Sequence, residues 1–227
     1  MGISKCEQCA IRQCNALKSL KSYALVGLSG CKTSLSFKKG DVLFQEGDNI
    51  NGVFCIKQGA CKLTKLSSNG KDQIVRLANA GELLGQRSLI SNEPANLTAI
   101  AVNNMRVCFL PKQEIENGFT SDIDFSVDLL KSLAQELKLA DNVIVDMAQK
   151  SVKKRLAETL LYINVNFGVD ADGLLNIVLT RDDYANIVGT ATESAIRILS
   201  QFKKEGLISA HGKKIKIENI EGLKCVE

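Results

Sequence analysis

The chain has 227 residues, 45% apolar and 24% charged, enough for one large domain or two modest ones with their own hydrophobic cores and no need of disulfide staples. A formal charge of +4 is too small to name a partner, so any nucleic-acid reading depends on where the basic residues sit. No run approaches the roughly 20 apolar residues that cross a bilayer, and no signal-peptide pattern is present, which excludes a membrane partner and points to the cytoplasm.

The first distinctive stretch, "CEQCAIRQC", places Cys6, Cys9 and Cys14 in a C-x2-C-x4-C spacing. In a reducing compartment the eight cysteines read as buried thiols, metal ligands or redox sensors rather than as a disulfide framework. A C-x2-C pair is common in zinc sites. It also occurs in dithiol enzymes, but here it lacks the βαβ setting of that chemistry. No other residue set suggests catalysis, so the chain is expected not to be an enzyme.

From Ser34 to Pro111 short apolar runs are punctuated by Gly40, Gly47, Gly52, Gly59, Gly70, Gly81 and Gly85, the pattern of β-strands joined by tight turns. "ACKLTKLSSNGKDQIVRL" predicts a hairpin about Asn69-Gly70. Cys55 and Cys61 are expected to fill the interior of this small antiparallel unit, Cys108 lies in the strand "MRVCFLP", and Cys225 in a mobile tail.

The period then changes. Leu130, Leu133, Leu137, Ala140, Ile144 and Met147 are spaced as the a/d seam of a coiled coil. A narrow stripe flanked by polar positions suits a second helix, and so a homodimer, better than a broad core face; packing on the chain's own β-unit is the alternative. After a lysine-rich joint, "QKSVKKR", Val152, Leu156, Leu160 and Ile163 mark another amphipathic helix.

"LTRDDYANIVGTATESAIRILSQFKKEGLISAHGKKIKIENI" reads as a winged helix-turn-helix. Thr180 caps a first helix with Asp182 and Asp183 in its first turn, and Gly189 ends it. Thr190-Ala-Thr-Glu193 predicts a capping box for a second helix, closed at Gly206. Ala195, Ile198, Leu199 and Phe202 fall on one face, which leaves Glu193, Ser194, Arg197 and Gln201 outward. That is how a recognition helix addresses the major groove of double-stranded DNA: Arg197 can donate twice to guanine and Glu193 can accept from cytosine. From Ser194 to Lys216 there are six Arg or Lys against one acid, which suits phosphate contact. The expected DNA-facing set is Thr192, Glu193, Ser194, Ile196, Arg197, Lys203, Lys213 and Lys214.

With these residues in place, the sequence resembles the CRP/FNR family of bacterial transcription regulators over nearly its whole length. "KKGDVLFQEGDNINGVFCIKQGACKL" is similar to the β-roll of cyclic-nucleotide-binding domains, the seam to the family's dimer helix, and "TESAIR" to a recognition-helix core that reads TGA/TCA-type half-sites. The resemblance implies an α+β fold: a cysteine-rich segment (1–18), a β-roll sensor domain (19–118), a dimerisation helix (119–148) and a winged helix-turn-helix (149–227). It also implies a homodimer on palindromic DNA with RNA polymerase as a partner.

For the effector, the resemblance argues against cyclic AMP. In "GELLGQRSLISNEPANLTAIAV" Glu82 is placed to hold a ribose, but Asn96 and Leu97 stand near the place of the phosphate-binding Arg-Ser pair, with Arg87 as the substitute. The cysteines instead resemble the FNR branch, which implies a [4Fe–4S] cluster on Cys6, Cys9, Cys14 and Cys108 and a response to oxygen, nitric oxide or redox state. Zinc on the same thiols stays open. So does a cluster-free regulator that answers to a ligand in the β-roll. Three departures stand out: the second cysteine gap, between Cys9 and Cys14, is one residue shorter than in the FNR branch; Ala140, beside Asp141, occupies the place of a repulsive seam acid; and Ile196 the place of a recognition-helix serine.

Overall fold

The computed structural model describes residues 5–67 and 70–227, so Asn69 of the expected hairpin turn lies outside the described residues. The chain forms two compact units, Met1–Leu63 with Leu77–Leu139, and Thr64–Arg76 with Ala140–Glu227. The division passes through strands of one hairpin and through the longest helix.

In the first unit, short 3-10 turns at Cys6–Gln8, Ala10–Cys14 and Ala16–Ser19 lead to α1 (Ser22–Cys31). The strands follow: β1 (Thr33–Phe37), β2 (Val42–Phe44), β3 (Gly52–Gln58), β4 (Cys61–Leu66), β5 (Asp72–Ala78) and β6 (Leu83–Leu84). After a short α2 (Gln86–Ser91) come β7 (Thr98–Ala101), β8 (Met105–Pro111), α3 (Lys112–Ser121) and α4 (Ile123–Gln149). The strands make two four-stranded sheets, ordered β1-β8-β3-β6 and β2-β7-β4-β5. Glycine is obligatory at the β3–β4 turn: Gly59 has φ +88°, and a Cβ there would lie 2.5 Å from that of Met105.

Strand alternation gives the β3–β8 pair two different faces. Phe54, Ile56, Met105 and Val107 belong to the interior core between the sheets. Val53, Cys55, Cys108 and Leu110 belong to a second core, shared with Leu17 and Leu20, with Leu25 and Leu28 of α1, and with Phe125 and Leu129 of α4. Cys61 fills the roll interior as expected; Cys55 does not, because its strand position faces the other way.

The sequence pattern did not reveal α1 or most of α3, and it began the long helix at 119, inside α3. The break between α3 and α4 is Asp122, extended at φ −138° and ψ 98°. Its buried carboxylate accepts from the Lys21 backbone N–H at 2.9 Å, so the long helix begins at Ile123 rather than at 119.

In the second unit, α5 (Val152–Phe167) is capped by Ser151, whose hydroxyl accepts from Lys154 N at 3.0 Å, and it buries Leu156, Ala157, Leu160 and Ile163. It is followed by α6 (Arg181–Val188), α7 (Thr192–Lys204), the hairpin β9 (Ile208–His211) and β10 (Lys214–Ile217), and α8 (Ile220–Lys224). Helix α8 corrects the expectation of a mobile tail: Leu223 and Val226 are buried, while Lys224 and Cys225 between them are exposed.

Candidate functional site

Three of the four thiols expected to act together do meet. Cys6, Cys9 and Cys108 line one cavity, whose wall also includes Arg12, Lys32 and Cys55. Cys14 is exposed and lies off that wall, its Cβ against the turn at Gly81. Cys55 and Cys108 are directly paired across β3 and β8. Cys55 was missed as a site residue because alternation alone does not say which sheet face is the interior.

The cavity is electropositive at its rim. Lys32, itself buried, donates from Nζ to Cys6 Sγ at 3.3 Å. Arg12 donates to the backbone oxygens of Lys18 and Glu7, while its Nε–H is buried with no acceptor. Asn15 Nδ2 donates to Gly81 O at 2.8 Å and approaches Cys55 Sγ at 3.6 Å. Burial pushes the Cys55 thiol up to about 12, and the nearby sulfurs of Cys108, Cys9 and Cys6 push the same way.

Among the described residues no three Cys, His, Asp or Glu are placed to hold a single metal ion. A four-iron cluster spreads its four thiolates over separate irons, so it requires thiols around a cavity rather than at a point. The donors suit it in kind: soft thiols, two cations to balance a negative cluster, and an N–H left without an acceptor. At about 20 Å³ the cavity has room for a water rather than a cluster. The wall best able to give is the run of short 3-10 turns, whose hydrogen bonding is weak.

The cysteine segment is tied to its own unit at both ends. Cys6 N donates to Ser29 Oγ, which donates to Glu7 Oε2, both at 2.6 Å, and this second bond holds the Glu7 carboxyl below its usual range. Further on, Ser19 Oγ donates to Asp128 Oδ2 on α4. Helix α4 has two apolar faces: Phe125 and Leu129 point into the core, whereas Leu130, Leu137 and Ile144 are 60–67% exposed. Ala140 and Asp141 are exposed too, and Leu133 and Met147 are half-buried.

In the second unit, Thr180 and Asp183 form a reciprocal capping box at α6, and Gly189 ends that helix in the left-handed region. The box expected at Thr190 does not form. Helix α7 starts at Thr192 without a side-chain cap, and the Thr192 hydroxyl donates instead to Asp182 Oδ1 at 2.9 Å, joining the two helices. Ala195, Ile198, Leu199 and Phe202 are buried as expected, while Glu193, Ile196 and Arg197 are exposed and Thr192 and Ser194 partly so. Lys203, Lys213 and Lys214 are exposed, with Lys213 in the β9–β10 turn.

A β-roll followed by a long helix and a winged helix-turn-helix is the architecture that this chain shares with known proteins. The cyclic nucleotide-binding domain family matches residues 34–122, and the Crp-like helix-turn-helix domain family matches residues 154–226. The chain is 29% identical over 202 residues to the anaerobic regulatory protein of Bacillus subtilis (87% of this chain, 85% of that one). It is 25% identical over 221 residues to the fumarate and nitrate reduction regulatory protein of Shigella dysenteriae (96% and 88%). The solved structure of FixK2 from Bradyrhizobium japonicum superposes with a TM-score of 0.76 at 24% identity, covering 85% of this chain and 95% of that one. The chain belongs to the CRP/FNR family and is a DNA-binding transcription regulator.

Proposed function

We propose that this regulator senses oxygen, or a related oxidant such as nitric oxide, through an iron–sulfur cluster held by its N-terminal thiols, and binds TGA/TCA-type palindromes as a homodimer alongside RNA polymerase. The observation that carries the reading is the meeting of Cys6, Cys9 and Cys108 at one cavity with Lys32 and Arg12 in its wall. The names of the Bacillus and Shigella relatives, which refer to anaerobic regulation and to fumarate and nitrate reduction, support it. The family resemblance offers Cys14 as the fourth thiolate.

When bound, a cluster of this kind supplies an oxidant-labile brace. The chain's own residues supply the transmission. Cys6 and Cys9 thiolates would hold the cysteine segment on the cavity, the Ser29–Glu7 bond holds its start, and Ser19 and Lys21 connect the residues that follow it to Asp128 and Asp122 at the root of α4. Release of the segment thus alters the support of the helix that carries the exposed seam. A coupling of about 1–3 kcal/mol, or roughly 5- to 150-fold in affinity, suffices for regulation.

The test is iron and acid-labile sulfide, with a visible spectrum, on protein purified without oxygen and then exposed to air. About four irons per chain and a spectrum that bleaches are the expected result. A colourless, metal-free protein that still binds the palindrome overturns the cluster and leaves a regulator that answers to a ligand in its β-roll.

A further inference from the structure

The geometry points to Cys55, rather than Cys14, as the fourth thiolate of the N-terminal metal centre. This assignment rests on the iron–sulfur reading above and fixes which thiols complete it.

The argument begins with strand register. Cys55 and Cys108 are direct partners on adjacent antiparallel strands, and direct partners project from the same face of a sheet. That face is the one covered by the cysteine segment and α1, not the one that fills the roll. If Cys108 is a ligand, Cys55 is the thiol beside it, on an equally rigid element. Both line the cavity with Cys6 and Cys9. Two thiols from the sheet and two from the 3-10 turns then line the same space.

Cys14 lacks each of these properties. It is exposed, it is the last residue of a 3-10 turn, and its Cβ is packed on the Gly81 turn, where an added Cβ would come within 2.8 Å. The next residue, Asn15, is fixed by its amide to Gly81 O and approaches Cys55 Sγ. Bringing Cys14 inward would break that anchor, whereas Cys55 is already in place. A free thiol so buried stays protonated, but coordination deprotonates a thiol outright.

The experiment uses the full chain, reconstituted without oxygen with iron and sulfide, and compares wild type with Cys55→Ala, Cys14→Ala and Cys61→Ala. Cys61 is buried in the roll interior and controls for the loss of a core thiol. The expected result is that Cys55→Ala loses most of its iron, sulfide and visible absorption while Cys14→Ala and Cys61→Ala keep theirs. Full loading of Cys55→Ala overturns the assignment, as does loss of the cluster in Cys14→Ala or an equal loss in Cys61→Ala. Mass spectrometry of alkylated wild-type holoprotein gives a check that needs no variant: Cys14 is expected to be modified with the spectrum unchanged, and a protected Cys14 counts against the proposal. A wild-type chain that takes up no iron refutes the cluster reading itself, an outcome distinct from all of these.

Discussion

The Ser19 hydroxyl donates to Asp128 Oδ2 at 2.6 Å, joining the end of the cysteine segment to the first turns of α4. Lys18 and Lys131 lie at 3.5 and 3.3 Å from the same carboxylate. The Ser19 bond is the main reason that the Asp128 carboxyl titrates below its ordinary range, with the two lysines adding to it. A carboxylate whose folded value is depressed stabilises the folded form above its unfolded value, near pH 4, and loses that contribution as pH falls through the folded one. Ser19→Ala is therefore expected to raise amide exchange across residues 15–31 at neutral pH, with less difference from wild type in acid. Exchange mass spectrometry checks this, and equal protection at pH 7 would show that the bond is no latch.

The outer face of α7 makes separable claims on DNA. Arg197 is exposed in the middle of the helix, where a bidentate contact to guanine is worth about 1–3 kcal/mol of discrimination. Arg197→Ala is expected to lose that much on the cognate palindrome and to relax preference at one base pair. Lys213→Ala, at the tip of the wing, is expected to weaken all sequences alike and to lower the salt slope by about 1. Binding titrations against single-base variants at two salt concentrations separate the two roles. Uniform weakening by Arg197→Ala would make it a phosphate contact.

The seam predicts the assembly state. Leu137 and Ile144 are 64% and 67% exposed on a helix that is buried only at Phe125 and Leu129, near its start, and no acid stands at position 140 to repel a second copy. The chain is expected to be dimeric when purified free of any metal, and Leu137→Asp to give monomers. Sedimentation of apo wild type decides this: a clear monomer would mean that the metal drives assembly rather than orientation.

How much of this was legible in the sequence depended on the kind of signal. Glycine punctuation marked the β-roll because positive-φ turns such as Gly59 demand it, and helical periodicity marked α5 to α7 because Leu156, Leu160 and Phe202 must share buried faces. The break at Asp122 was hidden, since it depends on a buried hydrogen bond to Lys21, 101 residues away. Cys55 was visible as a strand residue, yet its place on the cavity wall depends on register with Cys108 and on α1 covering that face, neither of which a local pattern encodes. The capping box expected at Thr190 does not form because α7 starts one residue later, with Ala191 at its N-cap, while the Thr190 N–H closes the end of α6 on Ala185 O.

The helix-turn-helix also carries a local stability test. Thr180 accepts from Asp183 N at 3.0 Å and its own N–H donates to Asp183 Oδ2 at 2.8 Å, so Thr180→Ala removes a cap worth about 1 kcal/mol. Phe202, fully buried on α7, is worth about 3–5 kcal/mol on truncation to alanine. Denaturant midpoints are expected to fall for both, much further for Phe202→Ala; equal shifts would contradict the packing described for α7.

The β-roll is expected to ignore cyclic AMP. Glu82, the residue placed to meet a ribose, accepts from Asn79 N at 2.7 Å within its own turn. Arg87, the substitute for a phosphate ligand, is half-exposed and 3.5 Å from Glu93, so an incoming phosphate would have to compete with a carboxylate. Leu97, near the place of the Arg-Ser pair, packs on the interior core and offers no donor from its side chain. A nucleotide at 100 times its Kd would stabilise the fold by about 2.7 kcal/mol, a shift of several degrees in Tm. Millimolar cyclic AMP is expected to leave the melting curve of apo protein unmoved, whereas a clear upward shift would show that Arg87 leaves Glu93 for the phosphate and that the roll is a nucleotide receptor after all.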